Sequence, residues 1–240
     1  MSNYFSLFYS FEECVYASIH AYRIHILEII MLNIIFDMDG TLIDSENAIC
    51  VAINAIRKDR NIPRLENDYI KQVLHTPTLN CPKIFYGLDN FAYPSYKVGF
   101  EKYFHKAYEQ DVKVFDGVLW LLDECKKRNY FLAIASNAPH DELLPILRRH
   151  KIAHFFDTII GSAPNRESKP SSMMIDMILQ SAPFVKSIFV GNGAKDEGAA
   201  KNANIPYLHA KWGENPASLK PNEFCDAKGL LRLIEKIDDK

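Results

Sequence analysis

Two carboxylates two residues apart open the segment Asp37-Met38-Asp39-Gly40-Thr41, and the apolar run Leu32-Asn33-Ile34-Ile35-Phe36 leads straight into it. A short run of this kind reads as a buried strand. Side chains at i and i+2 of an extended chain project to the same side, so Asp37 and Asp39 converge on one small volume where the strand stops. Gly40 permits a sharp backbone departure, and Thr41 sets a hydroxyl beside the acids. Crowded carboxylates repel, and one of them loses its charge unless a cation neutralises the pair. A hard cation held by few oxygens, with room for water and phosphate, meets that need and points to Mg²⁺-assisted chemistry. Asp-x-Asp alone is common in solvated turns. Its place at the end of an apolar strand, with Gly-Thr behind it, marks a site.

Two further apolar runs end in polar residues of the same character. Phe131–Ala135 runs into Ser136-Asn137, and Ser187–Val190 into Gly191-Asn192-Gly193-Ala194-Lys195-Asp196, with Lys169-Pro170 between them. In this order and spacing the four segments resemble the four motifs of the haloacid-dehalogenase-like (HAD) hydrolases, over about Leu32 to Leu233. The continuation through Asp44-Ser45 and the Trp212-Gly213 pair look most like the phosphoglycolate-phosphatase-like branch of that family. The resemblance implies an enzyme that hydrolyses a small phosphorylated metabolite through an aspartyl-phosphate. Asp37 would be the nucleophile and Asp39 the general acid/base. Thr41, Ser136, Asn137 and Lys169 would hold the phosphate, and Mg²⁺ would sit on Asp37, the backbone carbonyl of Asp39, Asn192 and Asp196. Asp39 argues for phosphoryl chemistry, because the dehalogenase branch lacks this second Asp. One position departs from the pattern: Asn192 stands where the fourth motif has its first Asp. An amide oxygen carries no full charge and ligates Mg²⁺ more weakly. Two readings follow, a working phosphatase with looser metal affinity or a catalytically weak relative that binds a phospho-ligand or a partner. A phosphomutase is the nearest enzymatic alternative.

The elements that must carry these residues alternate between strand and helix, which implies a doubly wound, Rossmann-like α/β parallel sheet covered on both faces. Ser45 or Asp44 can cap a helix starting near Glu46, whose apolar face is Ile49, Ala52, Ile53 and Ile56. From there to Asp111 the apolar residues keep helical spacing, broken at Pro63, Pro77, Pro82 and Pro94, with no strand-plus-helix unit. By the resemblance this stretch is an inserted all-helical cap over 46–111, leaving 31–45 and 112–240 as the core. The segment His75-Thr76-Pro77-Thr78 is the candidate specificity loop, with an ordinary inter-helix turn as the other reading. Later elements are a helix through Leu119, Leu122 and Cys125, another near Asp141–Arg149, a strand at Thr158–Ile160, a helix near Ser172–Gln180 and a strand at Tyr207-Leu208. Ligands of such sheets bind beyond the carboxyl ends of the strands, where all four motifs fall.

Composition fits this and excludes other classes. The 240 residues carry 28 Lys plus Arg against 30 Asp plus Glu, a balance that suggests no nucleic-acid partner. The basic cluster Arg148-Arg149-His150-Lys151 falls where a helix should end and complements its dipole. His150 and His154 have zinc-ligand spacing, but no third ligand is placed to complete a site. The five cysteines are odd in number, scattered and without Cys-x-x-Cys spacing, which favours reduced thiols and a cytoplasmic location. Residues 1–30 are aromatic-rich and interrupted by Glu13, Arg23 and Glu28, a poor signal peptide and a poor membrane span. Met31 stands immediately before the first strand, so a start site placed too early is the simplest reading of 1–30. A short amphipathic accessory helix is the alternative.

Overall fold

A computed structural model of the chain describes residues 31–76, 78–88 and 100–239. Residues 1–30 lie outside the described residues, as do Pro77 of the expected specificity loop and Pro94.

The apolar run Leu32–Phe36 is β1, and every residue in it is buried. It lies in the middle of a six-stranded sheet of order β5-β4-β1-β6-β7-β8, formed by β4 (Phe131–Pro139), β5 (Thr158–Ser162), β6 (Lys186–Gly191), β7 (Tyr207–Ala210) and β8 (Glu223–Phe224). All five strand pairings are parallel. Parallel strands need crossovers, and the helices supplying them bury both faces. On one face Leu32, Ile34 and Phe36 meet α5 (Val118–Lys127), α6 (His140–Arg149) and α9 (Ala227–Asp238). On the other face Ile35, Ala133 and Phe189 meet α7 (Met173–Leu179) and α8 (Ala194–Asn202). Strand alternation thus divides the core in two. Asn33, the one polar residue of β1, satisfies its amide on the Phe184 carbonyl (2.7 Å) and the Ser187 hydroxyl (2.9 Å).

Between β2 (Ile43–Asp44) and β3 (Lys113–Val114) the chain makes a helical insert of α1 (Glu46–Asp59), α2 (Asn67–His75), α3 (Cys81–Tyr86) and α4 (Phe100–Asp111). β2 and β3 pair antiparallel, Ile43 with Val114 and Asp44 with Lys113, so the chain leaves and returns through adjacent strands. Inside the insert Ile53, Ile70, Phe85 and Phe104 are fully buried. Among the described residues no helix is long and apolar enough to cross a membrane.

Three local expectations need correction. Ser45 occupies the N-cap position of α1, but its side chain makes no capping bond, because the hydroxyl is drawn elsewhere. On α5 the buried positions are Val118, Leu121, Leu122 and Cys125, while Leu119 is turned outward, one step round from the expected stripe. β4 does not stop at Ala135 but continues to Pro139 through a register shift after Ser136. Gly161 permits that course, since a Cβ there would lie 2.7 Å from the Ala138 carbonyl oxygen. The basic cluster does end a helix: α6 stops at Arg149 and Lys151 turns away with φ 58°.

Candidate active site

The carboxyl ends of β1, β4 and β6 lie side by side at the sheet's centre. The chain runs from β1 outward to β4 and β5, then crosses back to β6 on the opposite side of β1. Such a reversal leaves a crevice between neighbouring strands. Here it holds a cavity of about 120 Å³ whose lining includes Asp37, Asp39, Ser136, Asn137, Lys169, Asn192 and Asp196. Seven of the eight expected site residues therefore meet, from positions up to 159 apart in the sequence. Thr41 does not line the cavity. It is buried behind it, and its hydroxyl donates to Asp37 Oδ2 at 3.3 Å.

Lys169 is the centre of the charge arrangement. Its Nζ lies 2.5 Å from Asp37 Oδ1 and 2.6 Å from Asp196 Oδ1, with all three residues buried. Burial alone would lower the lysine's pKa, but the Asp196 and Asp37 charges outweigh it and hold the ammonium protonated. Burial pushes the Asp37 carboxyl up to about 7; Lys169 opposes the shift, and the Asp196 and Asp39 charges reinforce it.

The loop carrying Lys169 is held from two sides. Asn137 Oδ1 accepts the Lys169 N–H at 2.8 Å, and its Nδ2 donates to the Lys169 carbonyl at 3.2 Å. Asn202 Nδ2 donates to the Pro170 carbonyl at 2.8 Å, and Pro170 packs on Gly198, where a Cβ would lie 2.8 Å away. Asn137 thus spends its side chain on placing the lysine. Ser136 Oγ accepts the Ala138 N–H at 3.1 Å from within the cavity wall.

In the fourth motif Asp196 Oδ2 accepts the N–H groups of Asn192 and Gly193, each at 3.1 Å, while Oδ1 meets Lys169. Both oxygens therefore shape the loop and anchor the lysine. The Asn192 side chain lies over Gly40, close enough that a Cβ there would fall 2.0 Å from Nδ2. Its carbonyl faces His209 Nε2 at 3.1 Å, so that nitrogen carries the proton. A second, more open space of about 540 Å³ adjoins across Gly40 and Asn192, lined by His209, Lys211 and Trp212. Trp212 fixes the loop after β1: its indole N–H donates to the Thr41 carbonyl at 3.0 Å while the ring stacks on Phe115.

Two residues at Asp39 were not expected there. Its Oδ1 accepts a 2.7 Å bond from the Ser45 hydroxyl and a 2.5 Å bond from the Tyr108 hydroxyl of α4. Ser45 carries an N-cap signal in the sequence and no sign of this role, and Tyr108 reads only as part of a helical stripe.

Charge tests whether a cation suits the site. The lining has four carboxylates (Asp37, Asp39, Glu46, Asp196) against two ammonium groups (Lys169, Lys195). Among the described residues no group of three or more His, Cys, Asp or Glu side chains could hold a metal. The donor set is instead one or two carboxylates beside amide and backbone oxygens. That suits Mg²⁺, which keeps waters and takes few protein ligands.

A model of the family described as haloacid dehalogenase-like hydrolase matches residues 34–210. A phosphoglycolate phosphatase of Pseudomonas syringae pv. syringae is 29% identical over 191 residues, covering 76% of this chain and 70% of the relative. One from Vibrio cholerae is 26% identical over 212 residues, covering 82% and 94%. Among solved structures, a predicted phosphoglycolate phosphatase from Haemophilus somnus 129PT superposes with a TM-score of 0.69 at 22% identity, covering 86% of this chain and 99% of the other. A haloacid dehalogenase-like family protein from Streptococcus pneumoniae gives 0.64 at 22% identity, covering 85% and 98%. These two superpositions speak for the fold.

Proposed function

The chain belongs to the haloacid dehalogenase-like hydrolase family, and from that premise we propose that it is a phosphatase acting on a small phosphomonoester of the phosphoglycolate kind. The observation that carries this reading is the buried Lys169 ammonium bridging Asp37 and Asp196 in a cavity that also holds Asp39. A phosphate dianion repels nucleophiles, so the barrier falls through in-line placement and neutralisation of the phosphoryl oxygens. An Asp37 oxygen attacks phosphorus, the bond to the leaving oxygen breaks, and Asp39 gives that oxygen a proton. Water then attacks the phosphorus of the aspartyl-phosphate, Asp39 takes its proton, and Asp37 and phosphate are released. Lys169 would direct its remaining N–H at a phosphoryl oxygen, with the Ser136 hydroxyl at another. Mg²⁺, held by Asp37, the Asp39 carbonyl and Asn192, would supply charge to offset the phosphate, with Asp196 keeping the loop and lysine in place.

Relatives support a small substrate. The similar proteins from Pseudomonas syringae and Vibrio cholerae bear the name phosphoglycolate phosphatase. The helical insert would act as a cap over the cavity, to which it contributes Glu46, Ile49 and Leu74. Reduced cysteines support a cytoplasmic setting: Cys50, Cys81, Cys125 and Cys225 are unpaired.

Asn192 favours a second reading, a weak catalyst that chiefly binds its phospho-ligand. Phosphate release from a panel of small phosphomonoesters, titrated with Mg²⁺, decides between them. Saturable turnover of one ester supports the phosphatase. Ligand binding with no release at any Mg²⁺ concentration supports the binding protein.

A further inference from the structure

Asp39 is tied to both chain crossings of the helical insert. Ser45 lies where the chain leaves the core, between β2 and α1, and Tyr108 lies one turn before it returns at β3. Both hydroxyls reach the same carboxylate oxygen, Oδ1, at 2.7 and 2.5 Å. Neither contact is incidental to surface chemistry, since Ser45 and Tyr108 are 1% and 2% exposed. Ser45 makes this bond in place of the capping bond that its position before α1 invites.

A carboxylate oxygen has two in-plane lone pairs. With both engaged by O–H donors, Oδ1 has none left to carry a transferable proton in the carboxyl plane. We propose that Tyr108 and Ser45 are positioning residues that confine the transferable proton of Asp39 to Oδ2 and fix the direction in which it is delivered. The inference rests on the phosphatase reading, because it concerns the acid that serves the leaving group. It also links that acid to the insert: displacing α4 from the core removes the Tyr108 donor and opens one lone pair of Oδ1, leaving Ser45 on the other.

Misdirected proton delivery harms a poor leaving group and spares a good one. The test compares wild type, Tyr108→Phe, Ser45→Ala and Asp39→Asn on 2-phosphoglycolate, whose leaving group is an alkoxide, and on p-nitrophenyl phosphate, whose leaving group needs no acid. Tyr108→Phe keeps the ring that packs 6.5 Å from Phe104 and removes only the hydroxyl. General acid catalysis is worth about 10²–10⁴-fold. Partial misplacement should therefore cut kcat/KM for 2-phosphoglycolate, which reports the step that expels the leaving group, about tenfold more than kcat/KM for p-nitrophenyl phosphate; hydrolysis of the aspartyl-phosphate, where Asp39 is the base, is common to both esters and enters kcat alone. Asp39→Asn should show the same selectivity more strongly. If Tyr108→Phe does not fold, Ser45→Ala carries the comparison. Equal falls in kcat/KM on both esters, or no fall on either, overturn the proposal. A wild type that turns over neither ester overturns the phosphatase reading, and this inference with it.

Discussion

Asn137 closes a ring on the backbone of Lys169, accepting its N–H at 2.8 Å and donating to its carbonyl at 3.2 Å across 32 residues of sequence. The lysine's ammonium can sit between Asp37 and Asp196 only if the loop bearing it is fixed. Asn137→Ala removes both bonds, which at roughly 0.5–1.5 kcal/mol each should cost about 1–3 kcal/mol of stability. Because small misplacements of a charge near the reacting atoms are expensive, kcat should fall about 10–100-fold. Urea denaturation and steady-state kinetics measure the two effects. Unchanged kcat would mean that Lys169 keeps its place without Asn137.

Asp37→Asn should abolish turnover and also remove a pH dependence of stability. Burial pushes the folded-state carboxyl up from an ordinary 3.8 to about 7, against the opposition of Lys169. The folded protein then retains a proton that the unfolded chain releases. The stability this proton contributes is complete below about pH 4 and is lost as pH rises to about 7, on the order of a few kcal/mol. Metal-free wild type should therefore lose stability relative to Asp37→Asn across that interval, and Mg²⁺ at pH 7.5 should restore it to wild type alone. Thermal melts of both proteins from pH 4 to 7.5 give the difference. A constant difference would show that Asp37 titrates alike in folded and unfolded chains.

Gly40 and Asn192 meet as loop against loop. Gly40 has φ 76°, and a Cβ there would fall 2.0 Å from Asn192 Nδ2. Gly40→Ala should incur about 1–2 kcal/mol for the left-handed backbone and a further 1–3 kcal/mol for the overlap. In an Asn192→Ala background only the backbone cost should remain. Denaturant unfolding of the four proteins in this double-mutant cycle gives the coupling. Zero coupling would mean that the two residues do not touch in solution.

What could be read from the sequence was whatever depends on alternation or spacing along one segment. β1 follows from a buried apolar run, and the convergence of Asp37 and Asp39 follows from its period of two. The helix from Glu46 begins where its signals place it. Lys169 has no local signature beyond Pro170; its order among the motifs points to it, and it lines the cavity. What escaped depends on contacts between distant segments. Tyr108 reaches Asp39 across 69 residues, and nothing in a helical stripe says which hydroxyl will face a carboxylate. Ser45 carries a true N-cap signal, but donating to the Asp39 carboxylate, a charge-assisted bond, orients its hydroxyl away from the N–H groups it would cap. The helix Ala227–Asp238 has a purely local signal: Ala227, Leu230, Leu231 and Ile234 are buried at i, i+3, i+4 and i+7, and Asp226 Oδ1 accepts the Gly229 N–H at 2.6 Å.

Asn192→Asp should move metal affinity and metal-free stability in opposite directions. The Asn192 backbone is fixed independently of its side chain, by Asp196 on the N–H and His209 on the carbonyl, so an isosteric carboxylate should occupy the same place. It would join a cavity that already has four carboxylates against two ammonium groups. Without a cation the added repulsion should lower the melting temperature. With one, a full charge replaces a neutral amide oxygen, a gain on the scale of a charge-assisted hydrogen bond, about 1–3 kcal/mol. Since 1.4 kcal/mol is tenfold in affinity, Mg²⁺ should bind roughly tenfold or more tightly by titration calorimetry, and the Mg²⁺ needed for half-maximal phosphate release should fall in step. Unchanged affinity would remove Asn192 from the metal site. An inert wild type beside an active Asn192→Asp would identify this one position as the place where catalysis lapsed, because Asp37, Asp39, Ser136 and Lys169 are the same in both proteins.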